Sequence, residues 1–390
     1  MSKLRAFVYV VLFVAAAFVV WHYQALEDIA EPDTAVLHRG LPSDPESVDP
    51  QKARSTQAGD ILRDIGEGLL GYSPTGEVVP GAAESWSISE DGLTYTFVIR
   101  EDARWSNGDP LTAGDFVFSL RRLVDPATAA FYANSIAVVA NAEAIVAGGL
   151  PPDQLGVEAV DDRTLVIRLA RPTPYLLSLL TYPTTFPVHA GSLAMHGDDF
   201  TRPGNLLSNG AYTLDAWTPG SVLELSRNEH YWNNAATAID EVRHHVLTQG
   251  ATELNRYRAG ELHITSTVPP DNFAQVREEY GDQLHVAPYI GVYYYGFNLI
   301  RPPFKDNPGI REALSMAIDR DVLVEKITGR GEAPAYSWVP PGVDNYEPRR
   351  LAFADMSQEE RNARARRLLA EAGYGPDNPL QIELRYNTSD

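Results

Sequence analysis

PGAAESWSISEDGLTYTFVIREDARWSNGDPLTAGDFVF, residues 80–118, contains a strand, a turn and a helix start in unbroken succession. Leu93, Tyr95, Phe97 and Ile99 alternate with Thr94, Thr96, Val98 and Arg100, the period of two expected of a strand with one face against a core. Asp91-Gly92 leads into the strand and Ser106-Asn107-Gly108-Asp109-Pro110 leaves it. These residue types accept a positive φ or bond their own backbone, so both stretches read as turns. Thr112 and Asp115 have the spacing of a capping box, and Phe116, Val117 and Leu120 supply the apolar face of the helix that follows.

Working outward, the same interleaving continues. Strands are predicted at 93–99, 163–169, 211–217, 222–226, 285–298 and 380–386, and helices at 56–70, 112–124, 251–260, 307–318, 320–328 and 358–373. This is an α/β pattern. The helix at 358–373 carries Arg361, Arg364, Arg366 and Arg367 beside Glu359, Glu360 and Glu371, which reads as a solvated face with no binding role.

Composition narrows the function. With 390 residues, 44% of them hydrophobic, the chain has enough apolar material for two or three folding units. Lys and Arg total 32 against 52 Asp and Glu, a net charge of −20, so no basic patch is expected to neutralise phosphates and nucleic acid is not an expected partner. The chain has no cysteine, which excludes disulfides, thiol chemistry and lipoprotein processing. It also lacks a G-x-S-x-G elbow, an H-E-x-x-H pair, a Walker loop and a glycine fingerprint. His244-His245, the one adjacent histidine pair, points to opposite faces if it lies on a strand, and no pair of carboxylates stands out as acid and base. The expectation is a protein that is not an enzyme and needs no cofactor or metal.

The amino terminus reads as an export signal. Lys3 and Arg5 precede an uncharged apolar run, Ala6 to Trp21, and acidic residues begin at Glu27. That order of charges leaves the chain from about residue 30 outside the cytoplasmic membrane. Two outcomes fit. Trp21, His22 and Tyr23 occupy the place where a cleavage site wants small residues, which favours an uncleaved inner-membrane anchor over 6–23; a cleaved signal peptide is the alternative.

Residues 80–118 resemble the signature of the dipeptide/oligopeptide-binding receptors of ABC importers. The resemblance continues through LHRGLPSDPESVDP (37–50), GLLGY (68–72), LGVEAVDDRTLVIRL (155–169), PGNLLSNGAYTLDAW (203–217), RNEHYWNN (227–234), NRYRAGELHIT (255–265), YYYGFN (293–298), REALSMAIDR (311–320) and AGYGPDNPLQIELRYNTSD (372–390). It implies an α/β periplasmic-binding-protein-like fold of class II, with two lobes and an extra domain inserted in the first. By position, 1–34 would be the signal or anchor with a short linker, lobe one 35–66 and 189–290, the inserted domain 67–188, and lobe two would begin at 291. HVAPYIGVYYYGFN, 285–298, would cross between the lobes; its five aromatics in nine residues fit either core packing or a ligand-facing role.

The family holds a short peptide extended between its lobes and passes it to permease subunits in the inner membrane. By resemblance, Arg54 and Thr56 would line the ligand from lobe one, Tyr132 in DPATAAFY from the inserted domain, and Tyr289 and Tyr294 from the crossing segment. Arg54 stands where the best-known relatives have an acidic residue, and Gly291 where some have a half-cystine. The family also continues beyond YNTSD through most of lobe two, including an acidic partner for the peptide's amine. The expectation is therefore a truncated segment of a longer receptor, the alternative being a product that no longer binds as its relatives do. Other readings of the function are a receptor of this fold for another solute, such as a sugar, and a membrane-tethered chaperone or scaffold.

Overall fold

The computed structural model describes residues 34–287, 289–343 and 346–386. The chain divides into two compact units, one ending at Ser266 and the other beginning at Thr267.

The first unit holds two separate hydrophobic cores. Its strands are β1 (Val36–Leu41), β2 (Leu70–Tyr72), β3 (Val78–Pro80), β4 (Ala83–Ile88), β5 (Thr94–Ile99), β6 (Val157–Ala159), β7 (Thr164–Arg168), β8 (Tyr212–Thr218), β9 (Val222–Arg227) and β10 (Glu241–Val246). Its principal helices are α1 (Thr56–Ile65), α2 (Ala113–Val124) and α3 (Gly250–Arg258).

One core forms under a sheet of order β1-β10-β9-β8, in which β1 runs parallel to β10 and the other pairs are antiparallel. Ala58, Ile61, Leu62 and Ile65 recur at helical spacing along α1 and pack with Leu214, Leu223, Leu225 and Val242 of the sheet. Beside this sheet, the buried Glu253 of α3 accepts hydrogen bonds from the amide and hydroxyl of Ser266, at 2.6 and 3.0 Å. Its carboxylate lies over Gly40, where an added Cβ would sit 1.7 Å from Oε1, so any other residue there would displace the Glu253 side chain.

The other core lies between α2 and an antiparallel sheet of order β4-β5-β7-β6. Along β5 the alternation is as the sequence predicts, with Tyr95, Phe97 and Ile99 buried. At the start of α2 the Asp115 carboxylate accepts both the amide and the hydroxyl of Thr112, each at 2.8 Å, closing the capping box.

Two polar contacts fasten these cores together. Arg122, near the end of α2, donates to the Asp49 carboxylate at 2.6 and 2.9 Å and to the Gln51 side-chain oxygen. Gln51 in turn donates to the carbonyls of Thr184 and Phe186. Asp49 and Gln51 are buried, and only the pairing makes a charge tolerable there. The second fastening is Glu67, whose two oxygens accept Tyr231 Oη at 2.6 Å and Trp232 Nε1 at 2.8 Å, while the Arg100 guanidinium lies 3.6 Å above the Trp232 ring. Burial pushes the Glu67 carboxyl up to about 7, against the opposing pull of Tyr231, Trp232 and Arg100.

In the second unit α4 (Pro308–Ala317) packs on α5 (Gln358–Glu371) around Ala313, Met316, Phe353 and Ala365.

Five expectations need correction. The helix predicted over 56–70 ends at Ile65: Gly66 is extended, and the Asn209 side chain takes both the amide and the carbonyl of Glu67, at 3.1 and 2.8 Å, so the backbone has partners other than a further helical turn. The helix predicted over 320–328 is a short α segment, Arg320–Val322, followed by a π segment, Leu323–Thr328. The stretches 285–298 and 380–386 form no strand among their described residues; alternation fixes which side chains would share a face, but a strand also needs a neighbour for its backbone. Arg361 of α5 is buried rather than solvated, its guanidinium bonded to the Tyr336 hydroxyl and 5.3 Å from that ring's centre.

Replacing Arg122 with Met should cost about 3–5 kcal/mol, because it leaves the buried Asp49 charge without compensation. Urea unfolding measures this, and adding Asp49→Asn should recover much of the loss; a cost below about 1 kcal/mol would mean the contact is incidental.

Glu67 gives a pH dependence of definite sign. Its folded-state pKa of about 7 lies above the ordinary 4.5, so its contribution to stability is fully present below pH 4.5 and is lost as pH rises through 7. Across that window the wild-type protein should lose up to about 3 kcal/mol that Glu67→Gln does not lose. Parallel stability curves for the two proteins between pH 4.5 and 8 would refute the assignment.

Candidate functional site

The segment from Glu46 to Thr56 carries the first candidate residues, and its shape follows from what its polar groups bond. Asp49 accepts the amides of Lys52 and Ala53 through its carbonyl, at 3.0 and 2.8 Å, while its side chain is held by Arg122. Past this tight turn the Glu46 carboxylate gathers the amides of Arg54 and Ser55 and the hydroxyl of Ser55. Ser55 also caps α1, its hydroxyl accepting the Ala58 amide at 3.1 Å. Burial pushes the Glu46 carboxyl up, but the hydrogen bonds from Ser55 and Arg54 outweigh this and hold it below the usual carboxylate range. It is therefore an ionised clasp at neutral pH.

Tyr132 meets this segment from the other core's side. It donates its hydroxyl to the Arg54 carbonyl at 3.2 Å, and its ring lies edge-on to Phe131 and Tyr182, with centroids 4.8 and 5.5 Å apart. Arg54 extends its guanidinium over Phe131, 5.8 Å from the ring centre. Arg54 and Tyr132 are thus brought together by contacts between segments 78 residues apart. Thr56 begins α1 two residues on, exposed, with its hydroxyl 3.3 Å from Gln57 Oε1.

The arrangement is an open aromatic face with a cation at its edge: Phe131 is 61% exposed and Tyr182 41%. It offers ring surface, hydroxyls and positive charge, which suits holding a partly apolar, partly charged ligand. Sequence reasoning missed Phe131, Tyr182 and Glu46. The Phe131-Tyr132 dipeptide was the available signal for the first of these. Nothing local marks Glu46, whose role depends on how the chain turns back nine residues later.

The remaining two candidates lie on the second unit. Tyr289 is 83% exposed, and Tyr294 packs against Trp338 with centroids 4.5 Å apart while staying 59% exposed.

The histidine pair lies on β10 and its members face opposite ways. His244 is buried with Nε2 2.9 Å from Asp64, whereas His245 lies 2.9 Å from His38. Burial, with Arg256, His38 and Arg243 nearby, holds His245 down to about 4. Among the described residues no group of three or more His, Asp or Glu side chains is placed to hold a metal ion. No described helix is long and apolar enough to cross a membrane, and the proposed anchor at 6–23 lies outside the described residues.

Residues 77–390 match the profile of bacterial extracellular solute-binding proteins, family 5. The chain is 42% identical over 365 residues to the periplasmic oligopeptide-binding protein OppA of Escherichia coli, covering 93% of this chain and 66% of that one. Among solved structures, the E. coli murein tripeptide binding protein MppA superposes with a TM-score of 0.85 at 40% identity, covering 90% of this chain and 68% of that one. Haemophilus influenzae OppA in complex with RPPGFSPFR gives a TM-score of 0.84 at 38% identity, covering 90% and 69%. The chain thus spans about two thirds of the length of these relatives. Its α/β architecture is that of the periplasmic peptide-binding proteins, and the chain belongs to family 5 of the bacterial extracellular solute-binding proteins.

Proposed function

We propose that this chain is the ligand-capturing part of an extracytoplasmic receptor that binds oligopeptides and delivers them to an ABC-type permease in the inner membrane. The observation that carries the reading is the union of Arg54 and Tyr132 on one exposed aromatic face, in a chain 42% identical to an oligopeptide-binding protein. A peptide's backbone and ends are constant while its side chains vary. Tyrosine rings and hydroxyls hold the constant part, and an open, hydrated surroundings admits the variable part.

In this reading Arg54, Thr56 and Tyr132 contact the ligand from residues 35–66 and the inserted 67–188 domain, with 189–290 completing lobe one. Tyr289 and Tyr294 contact it from the segment leading into lobe two, which starts at 291. The work is binding and lobe closure rather than bond-making, and no cofactor is required. The positive-then-apolar amino terminus supports export to the periplasm.

Calorimetric titration of the full-length protein with di- to pentapeptides tests the reading. Replacing both Tyr132 and Tyr289 with Ala should weaken binding by about 1–3 kcal/mol per tyrosine, with the fold retained. Unchanged affinity would remove both from the site, and absence of binding by the unmodified protein would overturn the function.

Cell fractionation checks the location. An uncleaved 6–23 segment should keep the protein with inner membranes after carbonate washing, and a cleaved one should release it in osmotic-shock fluid. Recovery in the cytosol would contradict export in either form.

A further inference from the structure

We infer that Arg54 makes this receptor prefer anionic peptides, by receiving a carboxylate of the bound peptide beside Phe131 and Tyr132. The inference rests on the peptide-site reading above and specifies the substrate class of that same site.

Both main-chain polar groups of Arg54 are committed, the amide to Glu46 and the carbonyl to Tyr132. The guanidinium is not. Its contact is the face of Phe131, and it makes no hydrogen bond or ion pair among the described residues. The charged neighbours in the same segment are all occupied. Lys52 pairs with Asp198 at 3.1 Å, Asp49 with Arg122 at 2.6 Å, and Glu46 is turned onto the amides of Arg54 and Ser55.

The Arg54 guanidinium therefore stands open in the proposed ligand site, with no carboxylate of its own segment left to meet it. The guanidinium fork matches a carboxylate through two parallel hydrogen bonds, which an ammonium cannot do. The surroundings favour the same guest. Phe131 and Tyr182 present exposed rings next to the cation, so the methylenes of a Glu or Asp side chain lie on aromatic surface while the carboxylate reaches Arg54.

The test is calorimetry of the full-length protein with two sets of alanine-based tripeptides, carrying Glu or Gln at each position in turn. The members of a pair differ in charge and hardly in shape. At one position at least, Glu should bind roughly tenfold more tightly than Gln. The ratio should shrink toward one at 1 M salt and in Arg54→Gln, and be partly kept in Arg54→Lys. Equal affinities for Glu and Gln at every position, or a preference that survives Arg54→Gln, would overturn the inference while leaving the peptide receptor standing. Failure of both sets to bind the unmodified protein would overturn the peptide-receptor reading and this inference with it.

Discussion

The guanidinium of Arg122, closed on the Asp49 carboxylate at 2.6 Å and on the side-chain oxygen of Gln51, is the charged one of the two polar contacts that fasten the cores of the first unit, and it sets the turn that carries the candidate site. Each hydrophobic core of that unit is satisfied within itself, so apolar burial alone does not fix one against the other. A buried ion pair is a weak source of net stability but a strong source of geometry, because its members tolerate few arrangements other than the paired one. With Asp49 fixed, the turn through Ala53 is fixed. Arg54 and Ser55 then meet Glu46, Ser55 caps α1, and the Arg54 carbonyl comes within reach of Tyr132. The candidate site is thus assembled from two segments of the first unit that the Arg122–Asp49 contact helps to hold in place.

What the sequence made legible follows from the range of the forces involved. The alternation of β5 and the capping box of α2 are local, and both appear where the periodicity places them. The α/β architecture was legible for the same reason, since strand and helix patterns alternate along nearly the whole chain. The end of α1 was not, because Asn209, 142 residues away, decides what the Glu67 backbone bonds. Arg361 was misplaced on solvent because charge patterning along a helix does not reveal that a tyrosine from another segment will cover one of its members. In the site, Tyr132 and Arg54 were identified by resemblance, whereas Phe131 and Tyr182 required the fold.

The charges inside this acidic protein share one physical logic. Glu67 is half-buried beneath two aromatic donors with Arg100 close by, and Glu253 is buried against Ser266; desolvation raises the proton affinity of both. Asp49 is buried against a full cation. Glu67, at about 7, responds to pH near neutrality. Arg54 differs from all of them in being exposed and without an ionic partner, consistent with a residue that waits for its counter-charge from outside the chain.

The central claim is that the protein captures peptides. The most direct measurement is mass spectrometry of whatever is released on denaturing protein purified from its native host without added ligand. The account predicts a heterogeneous set of short peptides, enriched in Asp and Glu over the composition of the host's proteins. A single non-peptide solute such as a sugar, recovered in stoichiometric amount, would contradict it.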